Sequence, residues 1–340
     1  MMEKVVDQKV VDQVEKDRWK RTLRTLIKDW RLYILLVPML LFLILYKYLP
    51  IAGILQGFKW MQAGQFRDTE WNGLFYAQML FTGSYATDFW RAFRNTFVNS
   101  MYGLLFGFPI PIFLALLFSE IKNETYRSVL QVCCYLPHFV SAVVVTTLIT
   151  LWCTRETATT SAGIVNQMLA ALHLTDIKTD VLAQPRFFRP IYQISGVWEG
   201  AGYGSIVYFA AVMAISPTNY EAARIDGASK LQQIRYVTLP GMAPTLTIML
   251  IMRIGQILNV GYEKIILLVG NQKTSYETSE VISTFVYRCS GRGDFNTITI
   301  ANGSAQNLGV VADIFNSLIA MCLVLGANAI SRKVSSTSLF

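Results

Sequence analysis

Seven polar or aromatic residues fall within two otherwise apolar segments of the chain. They are Trp198, Glu199 and Tyr203 in the first segment, and Gln256, Asn259, Tyr262 and Glu263 in the second. Because such side chains are costly in a membrane, they tend to face cavities. Gln256, Asn259 and Glu263 recur at helical spacing, which predicts a polar stripe along one helix face. Aromatic rings and amides can contact a polar solute, so we predict that these residues border a path through the membrane.

These residues also have a plainer interpretation. Glu199 and Glu263 would lie at the outer membrane interface, with Glu263 paired to Lys264 or another cation, and the amides would join helices. A further hypothesis is a buried ion pair between Arg253 and Asp313, on the fifth and sixth apolar segments. The sequence alone leaves these interpretations open.

Residue types for catalysis or metal binding are not grouped in the sequence. His138 and His173 have no second ligand at metal spacing, so both are predicted to be structural. Ser195, Ser205 and Ser304 have no neighbouring base for nucleophilic catalysis. The chain also lacks the G-x-x-x-x-G-K-[ST] loop that cradles ATP phosphates. We therefore expect no directly bound cofactor, no metal site and no enzyme activity.

The five cysteines give no disulfide framework, because their number is odd and they show no metal-ligand spacing. A bond between Cys153 and Cys289, near the outer edges of the apolar segments, is the alternative.

The composition indicates a membrane protein. Hydrophobic residues make up 53% of the 340 residues and charged residues only 15%, against about 25% in soluble domains. A helix needs about 20 mainly apolar residues to cross a bilayer. Six segments reach that length, at residues 32–55, 95–118, 128–151, 195–215, 242–269 and 304–330. We predict an all-α integral membrane protein with six transmembrane helices in one domain, residues 32–331.

The charges at the two ends orient the chain. Residues 1–31 form a basic arm, and no small-residue cleavage site follows the first apolar segment, so we expect the arm to be retained. The positive-inside rule places it in the cytoplasm, and six crossings return the tail, residues 332–340, to the same side. The net charge of +8, partly in the arm, suits an anionic lipid bilayer surface better than nucleic acid.

A polar segment, residues 217–240, separates the fourth and fifth apolar segments. Ser216 and Pro217 predict an N-cap and a first helical residue, and Thr218-x-x-Glu221 predicts a capping box. A short helix should therefore start here.

This helix should end in a turn. Gly227 permits the chain to reverse before a second amphipathic stretch, residues 230–237, and Pro240 then opens the fifth apolar segment. The pattern predicts a helix-turn-helix at the cytoplasmic surface, with a mere connector between spans as the alternative.

Several residues of this segment stand at fixed offsets from one another. They are Glu221, Ala222, Ala223, Gly227, Val237, Leu239 and Pro240. The spacing resembles the EAA motif of permease subunits of ABC importers, with valine at the usual isoleucine position. Supporting stretches at 46–50, 94–96, 135–141 and 220–229 make the chain similar to the oligosaccharide and polysaccharide branch of the sugar importers.

The resemblance implies a type I ABC importer permease fold with a cytoplasmic coupling helix that docks into a groove of an ATPase. In that role Glu221 would pair with a basic group of the ATPase, and Gly227 would make the turn. The other implied coupling residues are Ala222, Ala223, Arg224, Asp226, Leu239 and Pro240.

The resemblance also implies partners and a location. The partners are a second homologous permease subunit, a cytoplasmic ATPase dimer that binds ATP and Mg, an extracellular or periplasmic solute-binding protein, and an oligosaccharide substrate. The location is a bacterial cell membrane, with both termini cytoplasmic. Two alternatives are an ABC importer for a non-carbohydrate solute, because the motif reports coupling rather than cargo, and a membrane-embedded enzyme.

Overall fold

The computed structural model describes residues 25, 28–60, 70–270, 276–291, 298 and 305–334. The chain divides into two compact units, residues 1–55 and 56–340. The domain boundaries expected after residues 31 and 331 remain predictions.

The first unit contains a long apolar helix. Helix α1 (Trp30–Leu43) leads into a π-helical turn (Ile44–Tyr48), and a 3₁₀ helix begins at Leu49. None of the residues of α1 is buried. An apolar helix that exposes its side chains on all faces is typical of contact with lipid.

The second unit is helical throughout its described residues. Its helices in chain order are α2 (Phe75–Phe81), α3 (Ala86–Gly107), α4 (Pro109–Glu120), α5 (Glu124–Tyr135), α6 (Ala142–Trp152), α7 (Ile164–Ala171), α8 (Pro185–Met213), α9 (Pro217–Ile225), α10 (Lys230–Gln233), α11 (Leu239–Gly255), α12 (Tyr262–Val269), α13 (Tyr276–Ser279), α14 (Ile282–Cys289) and α15 (Ala305–Val334). The only β pairing in the described part of the chain is an isolated bridge between Lys59 and Trp71.

The structure provides up to six candidate membrane spans. Four helical segments are long and apolar enough by themselves: Trp30–Phe58, Ala86–Glu120, Lys230–Gly255 and Ala305–Arg332. Two more are bent pairs. The segment Glu124–Phe139 and α6 meet at 94°, and α8 and α9 meet at 68°. Counting each pair once gives the six spans predicted from hydropathy.

Two spans contain breaks that hydropathy did not predict. The third span is interrupted between α5 and α6 by a 3₁₀ turn, Leu136–Phe139. The fifth was expected to be one helix over residues 242–269, and this is wrong, because α11 ends at Gly255 and α12 begins at Tyr262. The break between them, residues 256–261, lies in the middle of the predicted polar stripe.

Three apolar clusters hold the second unit together. Phe89, Phe285 and Leu308 join α3, α14 and α15, and Val145, Phe188 and Ile265 join α6, α8 and α12. The third cluster joins α4, α8 and α11 through Ala115, Tyr208 and Met242. The second and third clusters thereby pack α12 and α11, the two helices that flank the 256–261 break, against α8.

A buried polar network lies between α3 and the segment from α13 to α14. The carboxylate of Glu280, whose side chain is 1% exposed, accepts hydrogen bonds from Arg91, at 2.6 Å, and from Arg288. The amide of Asn95 donates to the Glu277 and Glu280 carbonyls at 2.9 and 3.0 Å, and its oxygen accepts from Arg189 at 2.9 Å. We refer to five of these residues, Glu280, Arg91, Arg288, Asn95 and Arg189, as the Glu280 network.

All five cysteines are free. Cys153 packs in the cluster of α6, α8 and α12, whereas Cys289 packs in that of α3, α14 and α15, so the alternative disulfide between them is not formed. Burial raises the pKa of the Cys289 thiol to about 12.

Candidate functional site

A cavity of about 550 Å³ lies between the membrane helices of the second unit. Helices α3, α4, α8 and α11 line it, together with the break at 256–261 and the first turn of α12. Its volume falls within the range of about 300–1,000 Å³ that is usual for small-molecule sites. The cavity therefore has room for a solute of moderate size.

The break at 256–261 leaves backbone groups without helical partners, and side chains of other helices bind two of them. Asn316 of α15 donates to the Leu258 carbonyl at 3.4 Å, and Ser283 of α14 donates to the Val260 carbonyl at 2.5 Å. Irregular backbone at membrane depth is tolerated where protein groups satisfy it or where it borders a cavity. Both conditions hold here.

The end of α11 is also sterically fixed. A Cβ atom added to Gly255 would lie 2.9 Å from the Val324 side chain of α15. The helix can approach α15 this closely only because residue 255 has no side chain. The break follows directly at Gln256.

Three of the seven candidate path residues line the cavity: Glu199, Gln256 and Asn259. Because the helix is broken between Gln256 and Tyr262, the predicted continuous stripe through Glu263 is wrong. Glu263 is exposed outside the cavity lining. The break instead carries Gln256 and Asn259 to the cavity on a turn, in which the Asn259 amide N–H donates to the Gln256 carbonyl at 2.9 Å.

The three aromatic candidates lie outside the cavity lining. Tyr203 stacks on the His138 ring at 4.1 Å between centroids, and Tyr262 stacks on Tyr287 at 5.0 Å. Trp198 is 46% exposed. The structure thus separates these rings from the amides that sequence spacing had grouped with them.

An ion pair crosses one wall of the cavity. The ammonium nitrogen of Lys264 lies 2.8 Å from the Glu199 carboxylate, and the two side chains are 14% and 24% exposed. Lys264 therefore pairs with Glu199 of α8, and the alternative pairing with its neighbour Glu263 is wrong. The contact links the first turn of α12 to α8.

The hypothesis that Arg253 and Asp313 form an ion pair is also wrong. The Nη2 of Arg253 instead donates to the Gly103 carbonyl of α3 at 3.3 Å. Asp313 is exposed on α15, and none of the ion pairs among the described residues includes it. Arg253 lines the cavity, where sequence reasoning had not placed it.

The second candidate region, the 217–240 segment, forms the expected helix-turn-helix. Helix α9 starts at Pro217, and Gly227 adopts a φ of +77°, in the left-handed region that glycine occupies without strain. The Ala228 amide donates to the Ala223 carbonyl at 2.9 Å across the turn. These contacts close α9 in the way typical of a helix that ends at glycine.

The capping of this segment differs from the prediction. Ser216 and Pro217 occupy the predicted N-cap and first helical positions, although Ser216 makes no side-chain cap hydrogen bond. Because the helix already begins at Pro217, Thr218 lies inside it, and the expected capping box between Thr218 and Glu221 is wrong. The capping box forms instead at α10, where the Ser229 amide donates to the Gln232 side chain at 2.7 Å. The Glu221 carboxylate is therefore not a helix cap.

Helix α10 continues into the fifth span through a π-helical turn. In this turn, Ile234–Thr238, the Leu239 amide donates to the Ile234 carbonyl five residues back. Pro240, which has no amide N–H, follows as the second residue of α11. The fifth span therefore begins at Lys230. The sequence pattern had placed its start later, at Pro240.

Contacts at the rear of the 217–240 segment fix it to the membrane helices. The Tyr220 hydroxyl lies 3.1 Å from the Thr238 hydroxyl, and Lys230 pairs with Glu120 at the end of α4 at 2.6 Å. Just beyond the two ends of the segment, Gly241 of α11 lies so close to Ile215, which follows α8, that a Cβ there would lie 2.7 Å from the Ile215 side chain. The segment is continuous with α8 and α11, so a displacement of it would be passed to these two helices.

The front of the segment is open. Glu221 and Ala222 are exposed, as are Arg224, Asp226, Leu239 and Pro240, and Ala223 is half-buried. Two apolar side chains accompany them, Ile225 at 87% exposed and Leu231 at 79%. The arrangement combines charged groups with bare apolar ones, which is typical of a protein-binding surface.

Among the residues that the structure describes, no group of three or more His, Cys, Asp or Glu could hold a metal ion.

The second unit thus combines a polar cavity among its membrane spans with an exposed helix-turn-helix between two of them, an arrangement that suits a solute permease. Comparison with known families makes the class specific. The chain belongs to the family described as binding-protein-dependent transport system inner membrane component, whose model matches residues 107–335.

Two curated relatives cover nearly the whole chain. Protein LplB of Bacillus subtilis (strain 168) is 32% identical over 92% of this chain and 92% of its own length. The polygalacturonan/rhamnogalacturonan transport system permease protein YteP of the same organism is 31% identical over 96% of this chain and 95% of its own.

A solved structure shares the fold. A chain of the bacterial alginate ABC transporter in complex with alginate pentasaccharide-bound periplasmic protein is 38% identical, with a TM-score of 0.78. The match covers 93% of this chain and 99% of that one. Together with the family match, it confirms the predicted all-α membrane fold of an ABC importer permease and a transport subunit rather than an enzyme.

Proposed function

We propose that this chain is the permease subunit of an importer for an oligosaccharide or polysaccharide fragment, and that the 217–240 segment couples it to a separate ATPase. The names of YteP and of the alginate transporter support a carbohydrate cargo over the alternative of another solute. The cavity, bordered by the amides of Gln256 and Asn259, supports passage of a polyhydroxylated solute between the spans.

The observation that carries the coupling role is the contrast within the 217–240 segment between a fixed rear and an open front. A partner that binds Glu221, Ile225 and Leu231 would move a unit that is continuous with α8 and α11. The ATPase binds ATP and Mg, and its closure displaces this segment. Ala222 and Ala223 allow close approach, because their side chains are short.

The remaining parts of the proposal follow from this assignment. The segment faces the cytoplasm, with both termini on that side. A second homologous permease completes the pathway, and an external solute-binding protein delivers the sugar, as the periplasmic protein in the alginate transporter complex suggests.

The test compares ATP hydrolysis by the reconstituted complex of wild type and Glu221→Ala, with and without sugar-loaded binding protein. Loss of a charge-assisted contact at an interface costs about 1.5–3 kcal/mol, so we expect stimulated hydrolysis to fall about tenfold or more. Glu124→Ala is the matched control, because its carboxylate is 87% exposed and lies outside the segment.

Two outcomes contradict the proposal. Stimulated hydrolysis that is equal in Glu221→Ala, Ile225→Ser and wild type would exclude this surface as the coupling joint. Failure of the wild-type chain to assemble with any ATPase would overturn the importer assignment for this chain.

A further inference from the structure

The cavity carries an uncompensated positive charge. Its described lining contains three charged side chains, Glu199 of α8, Arg253 of α11 and Lys264 of α12, whereas α3 and α4 contribute none. Glu199 and Lys264 neutralise each other across 2.8 Å. Arg253 is left without a carboxylate, and Asp313, the acid expected to pair with it, does not do so.

The Arg253 side chain is exposed on the cavity lining and lies against α3. Nη2 donates to the Gly103 carbonyl at 3.3 Å, and one turn further on a Cβ added to Gly107 would lie 2.5 Å from the same nitrogen. The guanidinium therefore rests on a strip of α3 where residue 107 has no side chain. This hydrogen bond uses one of the five N–H donors of the guanidinium.

A cation within an apolar span is costly unless a partner compensates it. A guanidinium binds a carboxylate through two parallel hydrogen bonds, a geometry that an ammonium lacks. We propose that the cavity is a binding site for a carboxylate-bearing sugar unit during translocation, and that Arg253 is the residue that selects for the carboxylate. This inference rests on the proposed function of oligosaccharide import.

The other polar groups of the lining suit the rest of such a unit. The amides of Gln256 and Asn259 border the cavity, and the Gln193 amide is held in place because it donates to the Asn99 carbonyl at 2.8 Å. Amides can donate to and accept from sugar hydroxyls. Since these amides line the same cavity as Arg253, one sugar unit could meet hydroxyl partners and a carboxylate partner there.

The experiment measures uptake into proteoliposomes that contain the complete importer, with ATP inside and the binding protein outside. The probes are tetragalacturonate and its fully methyl-esterified, neutral form at equal concentration. For Arg253→Gln we expect Vmax/KM for the acid to fall about tenfold, as for loss of one charge-assisted contact, and that for the ester to change less than twofold. Arg253→Lys should retain part of the uptake of the acid, because it keeps the charge and loses the two-pronged geometry.

A second variant displaces the Arg253 side chain without replacing that residue. Gly107→Ala adds a methyl group where Nη2 lies, so the guanidinium must shift, and uptake of the acid should fall more than uptake of the ester. Gly326→Ala adds the same group on α15 with no atom within 4 Å, away from the cavity, and should change neither.

The outcomes separate this inference from the proposed function. Equal losses for acid and ester in Arg253→Gln, or no loss for the acid, would overturn the carboxylate-selecting role. Wild type that takes up the ester as efficiently as the acid would overturn it as well, while supporting oligosaccharide import. Wild type that takes up neither tetrasaccharide would count against oligosaccharide import itself.

Discussion

The Glu280 network and the 217–240 segment are both rich in charge, yet the central carboxylate is buried and paired in the first, whereas Glu221 and Arg224 are exposed and unpaired within the described residues in the second. In the network, the Glu280 side chain is 1% exposed and its two oxygens bind two different arginines. In the 217–240 segment, Glu221 and Arg224 are exposed and belong to none of the ion pairs among the described residues.

This difference separates internal support from external binding. The Arg91–Glu280 ion pair and the Asn95 hydrogen bonds to the Glu277 and Glu280 carbonyls fix α3 to the segment from α13 to α14, since separating the two elements would break all of these buried contacts. An exposed carboxylate on a rigid support keeps its hydrogen-bonding capacity for another molecule. The network thus stabilises the fold of the subunit, whereas the segment is prepared for a partner.

The largest effect should come from breaking the network. Glu280→Gln removes the buried carboxylate that Arg91 and Arg288 share, and the Asp88 carboxylate, 2.6 Å from Arg91, is left beside that arginine. We expect a loss of about 3 kcal/mol in the free energy of unfolding, near the lower end for a broken buried pair because Arg91 is 30% exposed. The melting temperature of the purified complex measures it. Glu277→Gln is the control, since that residue is exposed; equal melting temperatures for the two variants would show that the network is not a stabilising element.

The 217–240 segment could be predicted from the sequence, whereas the Glu280 network could not. The six spans and the 217–240 segment were predictable, because hydrophobic length and the offsets from Glu221 to Pro240 are local properties of the chain. The Glu280 network was missed, since Asn95 and Glu280 are far apart in sequence and only folding brings them together.

The cavity was only partly predictable for a related reason. Gln256 and Asn259 were recognised as polar residues in a span, but their positions were derived from a continuous helix. The break depends on tertiary contacts of Asn316, Ser283 and Gly255 with distant elements, which periodicity does not record. Arg253 was assigned to Asp313 because opposite charges in neighbouring spans attract, whereas the absence of a side chain at Gly107 lets it lie against α3.

A smaller effect is expected at the turn of the 217–240 segment. Gly227 has a φ of +77° with open space where a Cβ would stand, so Gly227→Val should meet backbone strain of about 1–2 kcal/mol and no steric clash. Because the strain falls on the turn that sets the direction of α9, ligand-stimulated ATP hydrolysis should decrease while the melting temperature of the complex changes little. Gly227→Asn is the matched control, since asparagine tolerates this conformation. Equal hydrolysis by the two variants would show that the turn geometry does not matter for coupling.

The smallest effect should come from the ion pair that joins the 217–240 segment to α4. Lys230 and Glu120 lie 2.6 Å apart, but their side chains are 63% and 45% exposed, so solvent screens the attraction. A double-mutant cycle with Lys230→Ala and Glu120→Ala should give a coupling energy of about 0.5 kcal/mol or less in the melting of the complex. If the coupling reached the size of the Glu280 effect, the segment would depend on this pair for its position. The contrast between a self-sufficient network and a partner-facing segment would then fail, because both would be held by strong internal ion pairs.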